Sequence, residues 1–185
     1  KMNDQVEQIV LPSPSPRFKE NLVRLAPLLI AAAAFLAFWP ALHNGFVNWD
    51  DDANILNNFR YRGLDVPRLK WMFTTFHMGL YQPLSWLSLA LDHALWGMNP
   101  MGYHLTSLIL HALNAALFYL LGKRLLELAI NEADQTALSL AAALAALLFA
   151  LHPLRVESVA WATERRDVLS GFFFLGALLC YIEGR

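Results

Sequence analysis

The chain has 185 residues, 57% of them hydrophobic and 16% charged, with a formal net charge of −1. An average soluble domain is about 25% charged, a nucleic-acid-binding protein carries a basic excess, and a disordered chain has low hydrophobicity; none of these describes this sequence. Its single cysteine, Cys180, excludes an internal disulfide framework.

The charges are clustered. They fall in Lys1–Arg24, Asp50–Lys70, Lys123–Asp134, Arg155–Asp167 and Glu183–Arg185, with Asp92 alone between clusters. Between them run the uncharged stretches Leu25–Trp49, Trp71–Leu91, His93–Gly122, Gln135–Leu154 and Val168–Ile182. A helix crossing the hydrocarbon core needs about 20 mostly apolar residues, and a soluble helix shows charge on its wet face at every turn or so. The expected fold class is therefore all-α, a polytopic integral membrane protein.

In chain order, residues 1–24 form a cytoplasmic tail in which the PSPSP run at Pro12–Pro16 predicts an extended linker. Arg17, Lys19 and Arg24 precede the first expected span, 25–42, and the positive-inside rule places them in the cytoplasm. A cleaved signal peptide is the rival reading, disfavoured because the basic region is long and no A-x-A-like site follows. Residues 43–102 form an outside loop. Within it, Pro83 opens a run over 84–98 that predicts an interfacial helix, and Asn99-Pro100-Met101-Gly102 signals a turn. Further spans are expected at 103–121, 134–151 and 168–182, the third rich in Ala and suited to close helix packing. The second outside loop is 152–167. Several cations, among them Arg62, Arg68, Arg155, Arg165 and Arg166, land outside against the rule.

Three polar groups need a reason. Asp50, Asp51 and Asp52 follow the first span in FVNWDDDANILNN. A carboxylate near the membrane surface can take a proton from a hydroxyl, and oxygen ligands can hold a divalent cation; an acidic helix cap is the plainer reading. His104, Ser107, His111 and Asn114 share one face of the second span. Such residues face protein or a water-filled cavity, and interhelical hydrogen bonding accounts for them without chemistry. In HPLRVESVAWATERRDVLSG, Arg165 and Arg166 can hold a phosphate or simply pair with Glu157, Glu164 and Asp167.

Taken together, FVNWDDDANILNN, YQPLSWLSLALDHALWGMNPMGYHLTSLILHALNA and LFALHPLRVESVAWATERRDVLSGFFFL resemble the N-terminal membrane part of the transmembrane and tetratricopeptide-repeat (TMTC-like) proteins. The likeness is strongest to bacterial members and more distant to protein O-mannosyltransferases, and it runs from about Phe46 to Tyr181. The resemblance implies a GT-C glycosyltransferase that takes a sugar, such as mannose, from a polyprenyl-phosphate carrier and passes it to a polypeptide Ser/Thr on the extracytoplasmic side. It implies Asp50 and Asp51 as the catalytic acids in the first loop, with Asp52 leaving the register open by one. It implies Arg165, with Arg166 beside it, as the cation for the donor phosphate. Animal members carry Arg in YRPL where this chain has Gln82 in YQPL. His104, His111, Glu157 and Gln82 are supporting cavity residues on this reading, with no nucleic-acid partner and no committed metal. A bacterial cytoplasmic membrane is the expected location, and the chain is expected to be the N-terminal piece of a longer module, inactive alone. The other class left open is a non-catalytic membrane anchor or transporter-like subunit.

Overall fold

A computed structural model describes residues 16–130 and 134–184. Most of the expected 12–16 linker and the rest of the N-terminal tail before Pro16 lie outside the described residues. Seven α-helices follow in order among the described residues: α1 Pro16–Ala37, α2 Val66–Thr74, α3 Pro83–Trp96, α4 Pro100–Ala129, α5 Gln135–Leu151, α6 Arg155–Ala160 and α7 Arg165–Glu183. Short 3₁₀ turns cover Trp39–His43, His77–Gly79 and Ala162–Glu164, and a π turn covers Asp52–Leu56.

The central element is α4, which packs against α1, α5 and α7 and touches α3 and α6. Its start is fixed locally: Asn99 Oδ1 accepts from Met101 N at 3.1 Å and Pro100 takes the first turn. The α3–α4 corner is tight because Gly97 adopts φ +62° and Gly102 lies under Trp96, where an added Cβ would sit 2.2 Å from Trp96 Cγ. Small residues let α1, α4 and α5 approach closely: Ala26, Ala34, Ala112, Ala115, Ala142, Ala146 and Ala150 form the buried seam, with Ile30 and Tyr119. Leu28, Leu29 and Leu36 on α1, and Leu140, Leu144 and Leu148 on α5, point outward.

Pro27 lies inside α1, where it cannot donate to the Val23 carbonyl. That carbonyl instead accepts from the Tyr119 hydroxyl of α4 at 3.4 Å, the kind of repair by a neighbouring helix that lets proline persist in apolar helices.

Two helices among the described residues are long and apolar enough to cross a membrane, Glu20–Ala37 within α1 and Pro100–Ala129; Gln135–Leu151 is apolar but shorter. The boundaries differ from expectation. The first helix begins at Pro16, so residues 16–24, expected in the tail, are helical, and it ends at Ala37, with Pro40 in a separate 3₁₀ turn. The second runs on to Ala129 instead of stopping near 121, because Lys123 and Arg124 both reach Glu127 along the helix, at 3.5 and 3.6 Å. Arg124 also meets Glu183 of α7 at 3.3 Å. Charges that satisfy one another at three- and four-residue spacing support a helix where their presence suggested its end.

Candidate functional site

The acidic turn and the arginine segment, far apart in sequence, meet through Asp51. Its carboxylate is fully buried. Oδ1 accepts from the Thr163 backbone N–H at 3.0 Å and the Thr163 hydroxyl at 2.5 Å, across 112 residues. Oδ2 accepts from Val47 N at 2.8 Å, so both oxygens of Asp51 are occupied. Asp50 is half-buried, and its carboxylate makes no hydrogen bond or ion pair to any described residue. Arg62 closes the other end of this turn, its Nη2 donating to the Ile55 and Leu56 carbonyls at 2.8 and 2.7 Å.

Arg165, expected at a donor phosphate, is wholly buried and engaged by protein on all sides. Nε donates to Ser107 Oγ at 3.0 Å and Nη1 to Ser88 Oγ at 2.7 Å. Nη2 donates to Asp92 Oδ2 at 2.7 Å and to the Tyr103 carbonyl at 2.6 Å. The other oxygen of Asp92 accepts from the Thr106 hydroxyl at 2.6 Å. Burial raises the Asp92 carboxyl above its ordinary value despite the opposing pull of Arg165. The pair costs desolvation that its hydrogen bonds must offset. Neither Glu157 nor Asp167 is the partner of Arg165. Asp92 is, and it is the residue that sequence reasoning passed over. The signal was available: a lone acid in an uncharged helix requires a cation.

Arg166 is directed elsewhere. It is partly exposed, pairs with Glu164, and lines a groove of about 430 Å³ between the start of α3 and α7. Gln82, Ser85 and Ser170 give this groove polar atoms, and Leu80, Leu84, Leu169 and Phe173 give it apolar walls. Gln82 and Arg166 are thus brought to one site. Burial pushes the Glu164 carboxyl above its ordinary value against the pull of Arg166, and the charges of Asp167 and Glu157 add to the rise.

The remaining candidates separate. Exposed Glu157 lines a shallower pocket of about 270 Å³ with Val47, Trp49 and Trp161. His104 Nε2 lies 3.3 Å from the Gly45 carbonyl, and His111 Nε2 lies 2.9 Å from the Ala150 carbonyl. Asn114 Nδ2 donates to the Val168 carbonyl at 2.8 Å. All four polar residues of that α4 face therefore fasten neighbouring elements. No group of three or more His, Cys, Asp or Glu side chains converges to hold a metal among the described residues.

Comparison with known proteins adds an independent line. Mouse Protein O-mannosyl-transferase TMTC2 is 42% identical over 103 residues, covering 56% of this chain and 11% of that protein. Human Protein O-mannosyl-transferase TMTC3 is 32% identical over 167 residues, covering 85% of this chain and 17% of that protein. Mouse Protein O-mannosyl-transferase TMTC1 is 35% identical over 183 residues, covering 91% and 18%. The chain thus spans between about a tenth and a fifth of the length of these relatives. It is distantly homologous, over part of its length, to the eukaryotic TMTC O-mannosyl-transferases. No protein-family model matches it, and no solved structure does. With its two long apolar helices, this homology marks a membrane-associated protein.

Proposed function

We propose that the chain forms the acid-and-arginine part of a GT-C-type glycosyltransferase. The enzyme moves a sugar, on the O-mannosyl-transferase likeness a mannose, from a polyprenyl phosphate to a Ser or Thr hydroxyl of a polypeptide. The observation that carries this reading is the Asp51–Thr163 contact. It ties the acidic turn to the segment that bears Arg166, so that one rigid junction serves both halves of a transfer.

The roles then divide. Asp51 is the positioning residue, its oxygens committed to Thr163 and Val47. Asp50, whose carboxylate is free of protein partners, takes the proton from the acceptor hydroxyl. That oxygen bonds to the anomeric carbon with inversion, while the bond from this carbon to the phosphate oxygen breaks. Its electron pair leaves on the polyprenyl phosphate. Positive charge at the departing phosphate is what the step requires. Arg166 supplies it in a groove whose apolar walls suit the lipid tail, with Gln82 where animal members have Arg. Arg165 acts through structure, fixing the start of α7 so that Arg166 faces the groove. The pocket of Trp49, Glu157 and Trp161 adjoins Asp50 in sequence and offers the acceptor chain an approach. On the family likeness, the site lies on the extracytoplasmic face. The membrane is read as a bacterial cytoplasmic membrane from the likeness to bacterial members of the family.

Donor affinity of the purified full-length protein tests the assignment. Arg166→Ala should weaken polyprenyl-phosphate binding by roughly 10- to 150-fold, the worth of a charge-assisted hydrogen bond of about 1.5–3 kcal/mol, with only a small loss of thermal stability from the unpaired Glu164. Arg165→Lys should lower stability first. Full donor affinity in Arg166→Ala would refute the groove.

The transporter-like alternative predicts charges in mid-span beside broken helices. Here Asp50, Asp51 and Asp52 lie between α1 and α2, and Arg166 lies in the first turn of α7, not in mid-span, which favours the enzyme.

A further inference from the structure

A second cavity, of about 440 Å³, opens between α4, the end of α5, α6 and the first turns of α7, and shares Asp167 and Ser170 with the donor groove. Its lining is mixed: Phe118, Phe174 and Leu175 are apolar, Arg155 and Asp167 are charged, and Ser158, His111 and Asn114 add polar atoms.

The charges there are unpaired. The Arg155 guanidinium lies over the Phe149 ring, 4.7 Å from its centroid, and makes no ion pair or hydrogen bond to any described residue. The same cannot be said of Arg62, Arg68, Arg124, Arg165 or Arg166, each of which has a protein partner. Asp167 accepts only the Ser158 hydroxyl, at 3.0 Å, on its carboxylate, and has no cationic partner among the described residues. One cation and one anion thus line the same cavity without meeting each other. A cationic guanidinium stacked on an aromatic face keeps its outer N–H groups for an anion.

We propose that this cavity is a binding site for one zwitterionic phospholipid with a primary-amine headgroup, a phosphatidylethanolamine. Its phosphate meets Arg155, its ammonium donates to Asp167, and an acyl chain runs along Phe118, Phe174 and Leu175. Apolar walls select a lipid over a free headgroup. The unpaired acid selects a cationic N–H donor over a headgroup that offers only neutral hydroxyls. The site shares Asp167 and Ser170 with the wall of the donor groove, but the proposed lipid takes no part in the transfer step.

The purified full-length protein, stripped of lipid in detergent and titrated with short-chain phospholipids under native mass spectrometry, tests this. One phosphatidylethanolamine should bind saturably. Phosphatidylcholine, whose quaternary ammonium has no N–H, should bind about tenfold more weakly, as should phosphatidylglycerol. Free phosphoethanolamine should not compete at matching concentration. Arg155→Gln should lower binding of both phosphatidylethanolamine and phosphatidylglycerol by about tenfold or more. Asp167→Asn, at an exposed position, should abolish the preference for phosphatidylethanolamine over phosphatidylglycerol while leaving phosphatidylglycerol bound. Equal affinity for the three lipids would overturn the proposal. So would competition by free phosphoethanolamine, or a preference that survives Asp167→Asn.

Discussion

Glu164 and Arg166 are paired, so on the proposed reading Glu164 competes with the donor phosphate for the same guanidinium. Glu164→Gln should therefore raise donor affinity, measured by equilibrium binding of a fluorescent polyprenyl phosphate at neutral pH. The wild type should gain affinity on acidification. Because burial raises the Glu164 carboxyl, protonation begins at a higher pH than for a free glutamate, and each proton taken up releases Arg166. The same raised value means that the folded state binds this proton more readily than the unfolded state. The Glu164 contribution to stability therefore falls as pH rises from the ordinary glutamate range through the folded value. A Glu164→Gln variant whose donor affinity matches wild type and keeps its pH dependence would separate Arg166 from the phosphate. The rivalry for Arg166 could be read from the ERR sequence; which of two neighbouring arginines turns inward could not. That choice depends on Ser88, Asp92, Ser107 and Tyr103, which only the folded helices bring to Arg165.

At the scale of elements, the Asp92–Arg165 pair joins α3, α4 and α7. Removing one member leaves the other charged, buried and unpaired, which typically costs about 3–5 kcal/mol. Asp92→Ala should accordingly lower the unfolding temperature in detergent sharply. The double variant Asp92→Leu with Arg165→Met should recover much of the loss, since well-packed apolar replacements of buried pairs are often neutral or better. Additive losses would show that the pair is not a unit. The helix pattern was largely legible beforehand. The apolar run after Asp134 becomes α5, and the Pro83 start and Asn99-Pro100 turn bound α3 and α4. The end of α4 was not legible. Charge was read as the edge of a span, whereas Lys123, Arg124 and Glu127 satisfy one another on the continuing helix. The π turn at Asp52–Leu56 escaped as well: Asn57 N donates to the Asp52 carbonyl at 2.8 Å, and the Arg62 side chain, from outside the turn, bonds to the Ile55 and Leu56 carbonyls.

For the whole molecule, the proposed sidedness puts Asp50 and Arg166 on the extracytoplasmic face and Ile130, just beyond α4, in the cytoplasm. Single cysteines at 50 and 130 on a Cys180→Ser background, labelled with a membrane-impermeant maleimide, should react from outside at 50 only; external labelling at 130 would invert the scheme. The positive-inside rule conflicted with a cationic outer face, and the structure accounts for several of those cations. Arg62 binds carbonyls, Arg68 pairs with Asp65 and Arg165 with Asp92. The long-range tie between Asp51 and Thr163 was beyond sequence reasoning, because nothing local in either segment names the other. The central claim is that Asp50 is the base at that junction, and turnover tests it most directly. Full-length wild type, Asp50→Asn and Asp51→Asn would be assayed for transfer of labelled mannose from a polyprenyl phosphate to a Ser/Thr peptide, with unfolding temperatures measured on the same preparations. Asp50→Asn should lose roughly 10²–10⁴-fold in rate, the usual size of a general-base contribution, at wild-type stability, whereas Asp51→Asn should lose both rate and stability. Full turnover in Asp50→Asn would contradict the account.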